Sequence, residues 1–522
     1  VAFIAEKANP FLIQSGEKSS VATKLQFHAE SLKCKRQTTA MPTFAAMSKH
    51  HINQLLELQI TDFAFGGKGI AKEQTPQGDK VIFVPNTIPG QRVQARVVKA
   101  KSKYTECKLV KILERSPQEI EQPYQDISGA PYTHLPLEIQ QQYKKQSAFD
   151  LYTKIGKIND INSLFDEWID SPEAWHYRNK MEYSFSAIES NPETGEEKLG
   201  FALGFKKRGS WWAVENLNRD SGLFDEEFEN KLYELCEYLQ ETNLRAWNPK
   251  THEGFYKILV VRKSFHQDQL LLNLITGTEN IQRFDAKAFA AVCQEMFGKR
   301  IRGIIHSVNE GTGDRSNIED SSMKLIYGEP KLIERLLDLE FEISIKSFFQ
   351  PNPKCAAKLY TKALDYVAFE NNIQPKEVIL DLFCGTGTIA QLLAKKFPQQ
   401  AVTGVDIEES AIKDARENAQ RNGIEGLKFF AGDVGKYLSA NPRKEQINTV
   451  VLDPPRGGIA PKSLQKVIDL NAARIVYISC NPATQARDCE ILGQAGYKLK
   501  KLSLVDQFPH TAHVEAVALF QK

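Results

Sequence analysis

From Pro375 onward the chain alternates short apolar runs with helical stretches, and this pattern constrains the fold more than any other feature. Val378-Ile-Leu-Asp-Leu-Phe383 reads as a strand and Gly385-Thr-Gly-Thr388 as a tight turn. Ile389–Lys396 follows as a helix, and Ala401-Val-Thr-Gly-Val-Asp406 as a second strand. Ser410–Asn422 is a helix stopped by Gly423, and Thr449–Asp453 and Arg474–Ser479 are further strands. Strands alternating with helices predict an α/β fold with a doubly wound, mainly parallel sheet. Such sheets bind ligands at the carboxyl ends of their strands.

Upstream, the texture differs. Leu56–Ile60, Lys80–Val84, Gln91–Val98 and Tyr104–Val110 alternate apolar and polar residues, punctuated by Gly66-Gly67, Gly78 and Pro89-Gly90. Short strands at regular spacing predict a small β-barrel over 48–115. Between Asp79 and Arg115 there are nine Lys/Arg against three Asp/Glu, and Tyr104 lies among Lys99, Lys101, Lys103 and Lys108. A basic barrel face carrying an aromatic suits RNA, although it also describes a solvated surface. Residues 116–345 mix helix and strand and predict a central α+β domain, with 116–175 mostly helical. The strand–helix alternation is expected to form a separate C-terminal α/β domain over 346–522. Residues 1–47 show no steady period, no signal-peptide core and only one arginine, Arg36. They read as a disordered leader, or as residues upstream of a start at Met41 or Met47.

With 42% hydrophobic and 25% charged residues, the chain has enough apolar material for real cores, which excludes a disordered protein. No run approaches the ~18 apolar residues of a membrane helix. A net charge of +2 decides nothing about partners. The eight cysteines are scattered without a CxxC pair, as expected of reduced thiols in a cytoplasmic protein.

Chemistry gathers at the predicted strand ends. Gly385 and Gly387 allow close backbone approach, and Asp406 is placed to accept hydrogen bonds from ribose hydroxyls. Gly385-x-Gly387-x-x-Ala390 with an acid about 20 residues on also fits a dinucleotide, so a hydride-transfer enzyme is a rival. The wording Asp381-Leu-Phe-Cys-Gly-Thr-Gly387 favours S-adenosylmethionine. Asp453-Pro-Pro-Arg456 stiffens the next loop, since proline fixes φ and removes a donor. Cys480, before Asn481-Pro482, sits on the ligand side of its strand rather than in a core. Glu515 precedes an apolar run that reads as a last buried strand. Desolvation there would raise its pKa and suit it as a general base, with His510 and His513 as competitors.

Taken together, Ser347-Phe-Phe-Gln350, Asp381–Thr388, Asp453–Arg456, Ser479–Pro482 and His513-Val-Glu515 resemble, in order, the motifs of the RNA uracil-C5 methyltransferase family. That family forms 5-methyluridine in bacterial 23S ribosomal RNA or tRNA. The resemblance covers about 55–522 and implies a TRAM barrel, a central domain and a Rossmann-like methyltransferase domain. It implies Cys480 as nucleophile toward uracil carbon 6 and Glu515 as the base that removes the carbon 5 proton. It likens Gln350, Phe383, Thr388, Asp406, Asp433 and Asp453 to cofactor-contacting positions. Many ribosomal members hold an iron–sulfur cluster on cysteines just after the barrel. Here that stretch, Gln122–His134, has none, and without thiolate ligands no cluster is expected. The expected protein is a monomer acting on RNA, with 23S ribosomal RNA favoured over tRNA because of the barrel. A non-catalytic RNA-binding or folding factor is the remaining alternative.

Overall fold

The alternating runs near the N-terminus form a curled sheet. The computed structural model describes residues 50–522 apart from 76–77, 193, 314, 317, 372–376 and 441–446. The leader expected over 1–47 lies outside the described residues. Strands β1 (Leu55–Gln59), β2 (Asp62–Ala64), β3 (Lys68–Thr75), β4 (Gly78–Pro85), β5 (Arg92–Ala100) and β6 (Tyr104–Glu114) lie in the order β1-β5-β6-β4-β3-β2. β1 pairs with β5 and, two residues later, β2 pairs with β3. One nearly continuous segment therefore joins both edges, and the sheet wraps a core of Ile60, Ile82, Val84, Val93 and Val97. β2 and β3 escape the sequence pattern because Gly66-Gly67 and the polar Lys72-Glu73-Gln74 interrupt its period of two.

Helices α1 (Leu137–Lys154) and α2 (Ile161–Leu164) and strand β7 (Phe165–Ile169) come next. The central sheet is built from β8 (Lys180–Ser190), β9 (Glu197–Lys206), β10 (Val214–Asn216), β11 (Tyr256–Ser264), β12 (Gln269–Thr276), β13 (Ile301–Val308) and β14 (Met323–Gly328). Its helices are α3 (Glu226–Asn230), α4 (Leu232–Glu241) and α5 (Ala286–Phe297), and its strand order is β10-β9-β8-β11-β12-β13-β14. A hairpin, β15 (Lys331–Leu336) and β16 (Leu339–Ser344), leads to α6 (Pro353–Val367).

The C-terminal sheet then begins, with β17 (Val378–Leu382), α7 (Thr388–Lys396), β18 (Ala401–Asp406), α8 (Glu409–Arg421), β19 (Leu427–Ala431) and α9 (Val434–Ala440). It continues with β20 (Ile447–Leu452), α10 (Pro461–Asp469), β21 (Arg474–Ser479), α11 (Pro482–Gln494), β22 (Lys498–Val505) and β23 (Glu515–Gln521). The order is β19-β18-β17-β20-β21-β23-β22-β7. The first five strands are mutually parallel. β23 runs antiparallel to both neighbours. The strand order reverses between β17 and β20, which opens the ligand crevice of this fold class at that point.

One expectation needs correcting. The stretch 116–175 is not mostly helical, and part of it does not belong with the central sheet. β7 pairs in parallel with β22 and forms the edge of the C-terminal sheet. Its Asp166 is held by Lys362 and Lys501 at 3.2 and 2.8 Å. Charges of this kind suit an edge strand and mask its β pattern in the sequence. α1 docks on α11, where the Tyr152 hydroxyl donates to Gln485. It also supplies Lys144, whose ammonium lies 2.6 Å from Asp506 with both side chains at most 2% exposed. Removing one member of such a buried pair strands the other. Lys144→Ala is expected to cost about 3–5 kcal/mol in denaturant unfolding, and Lys144→Met combined with Asp506→Leu clearly less.

Candidate active site

The site is laid out along strand ends. In sheet order, Asp433 follows β19, Asp406 ends β18, Phe383 to Thr388 follow β17, Asp453 follows β20, and Cys480 follows β21. At about 4.8 Å per strand this line spans about 20 Å, room for a nucleoside joined to an amino acid. Gln350 reaches the same region from the loop before α6. It is buried there, with its side-chain oxygen 3.4 Å from the Gln507 amide.

The β17 turn is shaped for close approach. Gly387, at φ +72°, has no room for a side chain: a Cβ would fall 2.6 Å from Phe429 and 2.9 Å from Ala415. Gly385, at φ +52°, faces open space, with nothing within 4 Å of such a Cβ. Phe383 adopts φ +68°, a conformation that costs a bulky residue about 1–3 kcal/mol and collects at functional sites. Thr388 opens α7 and is buried. Asp406 accepts from the Gly385 and Glu408 amides, both at 2.9 Å. Asp433 caps α9 through the Lys436 amide at 2.8 Å and is otherwise exposed. Beside Asp406, Ile407 is 66% exposed, and Phe430 stands exposed on β19. An apolar ledge next to an acid suits a purine above its ribose. These residues fit S-adenosylmethionine.

The reactive end is set by strand register. Ser479 pairs with Ala516 across β21 and β23, so the next residue on each side brings Cys480 opposite Glu515. Of the seven cysteines among the described residues, Cys480 alone is not buried. Asn481 donates to the Arg456 carbonyl at 3.1 Å and caps α11, which ties the cysteine turn to the Asp453-Pro-Pro-Arg456 loop.

Electrostatics couples these groups. Burial pushes the Glu515 carboxyl up to about 8; Asp453 adds to the rise and Arg456 opposes it. Burial pushes Asp453 up to about 7. The Cys480 thiol is pushed up to about 12, first by burial, then by Glu515 and Asp453, against the pull of Arg456. A proton on Glu515 therefore removes one of the two charges that keep the thiol protonated. Fully buried Asp381 lies well above the usual carboxylate range, through burial and then Asp453.

The competing histidines are poorer bases. Burial and then Arg456 lower His513 to about 4. Burial and then Lys144 lower His510 to about 3. His510 is stacked on Trp175 at 3.6 Å and held by Gln140 at 3.1 Å. Tyr360 of α6 was hidden from sequence analysis. Its buried hydroxyl feels Asp453 and Glu515 and hydrogen-bonds Gln350. Its only sequence signal is one position of an amphipathic helix, shared by every core residue of α6. In the cysteine-free stretch, His134 pairs with Asp126 at 2.9 Å, Tyr132 is buried, and Tyr124 packs on Trp175.

Comparison with known proteins agrees with this fold. Residues 331–522 match the family described as tRNA (Uracil-5-)-methyltransferase, and residues 50–110 match the TRAM domain. An uncharacterized RNA methyltransferase of Caldanaerobacter subterraneus is 35% identical over 472 residues, covering 90% of this chain and 99% of its own. One from Clostridium acetobutylicum is 34% identical over 474 residues, covering 90% and 98%. Among solved structures, the tRNA (uracil-54, C5)-methyltransferase of Pyrococcus abyssi in complex with S-adenosyl-L-homocysteine superposes with a TM-score of 0.65. It is 25% identical and covers 89% of this chain and 100% of its own.

The raised Glu515 pKa has a consequence for stability. A carboxyl whose folded pKa lies above its unfolded value contributes stability below pH about 4.5 and loses it as pH rises through about 8. Glu515→Gln removes that loss. It should raise the denaturation temperature by several degrees at pH 9 and change it little at pH 5. Parallel pH profiles for the two proteins would refute the assignment of a buried, proton-retaining carboxyl.

Proposed function

The chain belongs to the RNA (uracil-5-)-methyltransferase family, and we propose that it methylates carbon 5 of a uridine in 23S ribosomal RNA through a transient bond from Cys480 to carbon 6. S-adenosylmethionine is the cofactor; when bound, it supplies an electrophilic methyl group. Asp406 and Asp433 would hold its nucleoside part, and Gln350, Phe383, Thr388 and Asp453 the remainder.

Carbon 5 of uracil is a weak nucleophile. The Cys480 thiol loses its proton to solvent as its sulfur adds to carbon 6, and the ring electrons move toward the carbon 4 oxygen as an enolate. Carbon 5 of this adduct can then accept a methyl group. Glu515 takes the carbon 5 proton, the electrons restore the 5,6 double bond, and the thiolate leaves carbon 6. Splitting the reaction this way replaces one hard step by easier ones. A base with a pKa near 8 suits proton removal near neutral pH. The target base must leave its stack to reach a recessed thiol. The observation that carries this reading is the β21–β23 register, which sets Cys480 opposite Glu515 beside Asp453.

A tRNA acceptor is the second reading, favoured by the Pyrococcus abyssi enzyme, which is described as acting on tRNA uracil-54. Its likeness extends over 89% of this chain, so the barrel by itself does not choose between the two RNAs. Methylation of purified 23S ribosomal RNA and of tRNA transcripts by the same preparation decides between them. Label confined to tRNA overturns the ribosomal assignment.

Cys480→Ala is expected to lower turnover at least about a thousandfold and to abolish any covalent RNA complex. Glu515→Gln should instead accumulate a methylated protein–RNA adduct that survives denaturing electrophoresis, because addition precedes proton removal. Normal turnover by Glu515→Gln would move the base elsewhere. Activity in Cys480→Ala would end the covalent mechanism.

A further inference from the structure

The turn between β9 and β10 reads Lys206-Lys-Arg-Gly-Ser-Trp-Trp212, and its two tryptophans are treated differently by the fold. Trp212 is anchored. Its indole donates to Glu197 at 2.8 Å, and Lys250 lies 4.6 Å above its ring. Trp211 is 56% exposed and meets Trp212 edge-on at 5.5 Å. The turn beneath it is rigid. Lys207 donates to the Ala213 carbonyl and Ser210 to the Lys207 carbonyl, both at 2.9 Å, and the Ser210 hydroxyl accepts from the Ala213 amide at 3.0 Å. An exposed aromatic on a rigid turn is a preformed stacking surface.

The same turn touches the barrel. Lys108 of β6 donates to the Gly209 carbonyl at 2.6 Å. The approach is so close that a Cβ on Gly209 would fall 2.3 Å from the lysine side chain. Trp211, two residues on, is within about 7 Å of this junction along the backbone. Across the strand pair, Lys108 lies directly opposite Arg96. Both are exposed, and among the described residues neither has an acidic partner. Farther along the same strand pair two cross-strand pairs are charge-matched, Arg92 with Glu114 at 3.2 Å and Lys99 with Glu106 at 3.3 Å. Like charges directly opposite destabilise a sheet, so the Arg96–Lys108 pair is a cost that, among the described residues, no acid offsets; Lys108 meets only the neutral Gly209 carbonyl. A polyanion crossing the seam would relieve it.

We propose that the seam between barrel and central sheet binds an unpaired stretch of the substrate RNA, with a base stacked on Trp211 and the adjoining phosphates on Arg96 and Lys108. This rests on the RNA reading above and adds a subsite remote from Cys480. Base–aromatic stacking tolerates any base, so the site selects single-stranded character rather than sequence.

The test uses the full chain and two fluorescein-labelled probes, a single-stranded oligouridylate of about ten nucleotides and its duplex with oligoadenylate. Trp211→Ala should weaken single-strand binding about tenfold or more, leave duplex binding unchanged and keep the salt slope. Trp211→Phe should restore most of the affinity. Arg96→Gln and Lys108→Gln should each lower the salt slope by about one. Equal single-strand affinity in wild type and Trp211→Ala overturns the subsite while leaving the enzyme assignment standing. Failure of the wild type to bind either probe, with methylation of long RNA intact, also overturns the subsite. Failure of both binding and methylation overturns the RNA reading itself.

Discussion

The proposed chemistry depends on the position of β23. Five parallel strands present their carboxyl ends to the cofactor crevice, so a residue that begins a parallel strand lies on the opposite side. β23 enters antiparallel between β21 and β22, and its first residue, Glu515, therefore arrives at the crevice. Ala516, Val517, Ala518, Leu519 and Phe520 are each at most 1% exposed; Val517 and Leu519 pack in one core and Ala516, Ala518 and Phe520 in the other, so a one-residue slip would exchange side chains of different size between two packed cores. The same burial that fixes Glu515 in place also strips it of water and raises its pKa. Position and basicity thus come from one packing arrangement.

That arrangement works against stability. Burial raises the proton affinity of Asp381, Asp453 and Glu515, and Asp453 adds to the rise at both Asp381 and Glu515. A sheet optimised only for folding would carry apolar residues at these ends. Offsetting contributions come from the apolar strand interiors, at about 1.5–3 kcal/mol for each large side chain buried. They come also from α1, which braces the loop after β22 through Lys144, whose ammonium reaches both Asp506 and the Phe508 carbonyl. Asp506 and Phe508 lie nine and seven residues before Glu515, so the brace restrains the start of the loop that leads into β23.

How far the sequence reveals this depends on whether the signal is local. Glycine turns after apolar runs identify β17 and its ligand loop without any tertiary information, and the apolar stretch after Glu515 identifies β23. The side of the sheet on which Glu515 falls is not local, because strand direction depends on the order in which strands pair. β7 is missed for a related reason. Phe165-Asp-Glu-Trp-Ile169 carries acids because it is an edge strand, and only pairing with β22 shows that it is a strand of the C-terminal sheet. Tyr360 is legible as a core residue of α6 but not as a neighbour of Gln350 and two carboxylates. The turn holding Trp211 and Trp212 is unremarkable as sequence, since what separates the two rings is which one the fold anchors.

These features share one energetic requirement. In the proposed mechanism the Cys480 thiol reacts with a base withdrawn from its stack, and withdrawal costs a few kcal/mol. Nothing at Cys480 can supply this, because contacts to the base form only after it has moved. Binding energy realised at a distance, in parts of the RNA that do not react, can hold the strand open and be used at the reacting centre. A barrel and a central sheet that meet at Gly209 and Lys108 give such contacts a fixed spacing from the crevice. On the proposed reading, the seam would stabilise an opened conformation of the RNA, and the strand ends would act on the one base that this conformation presents.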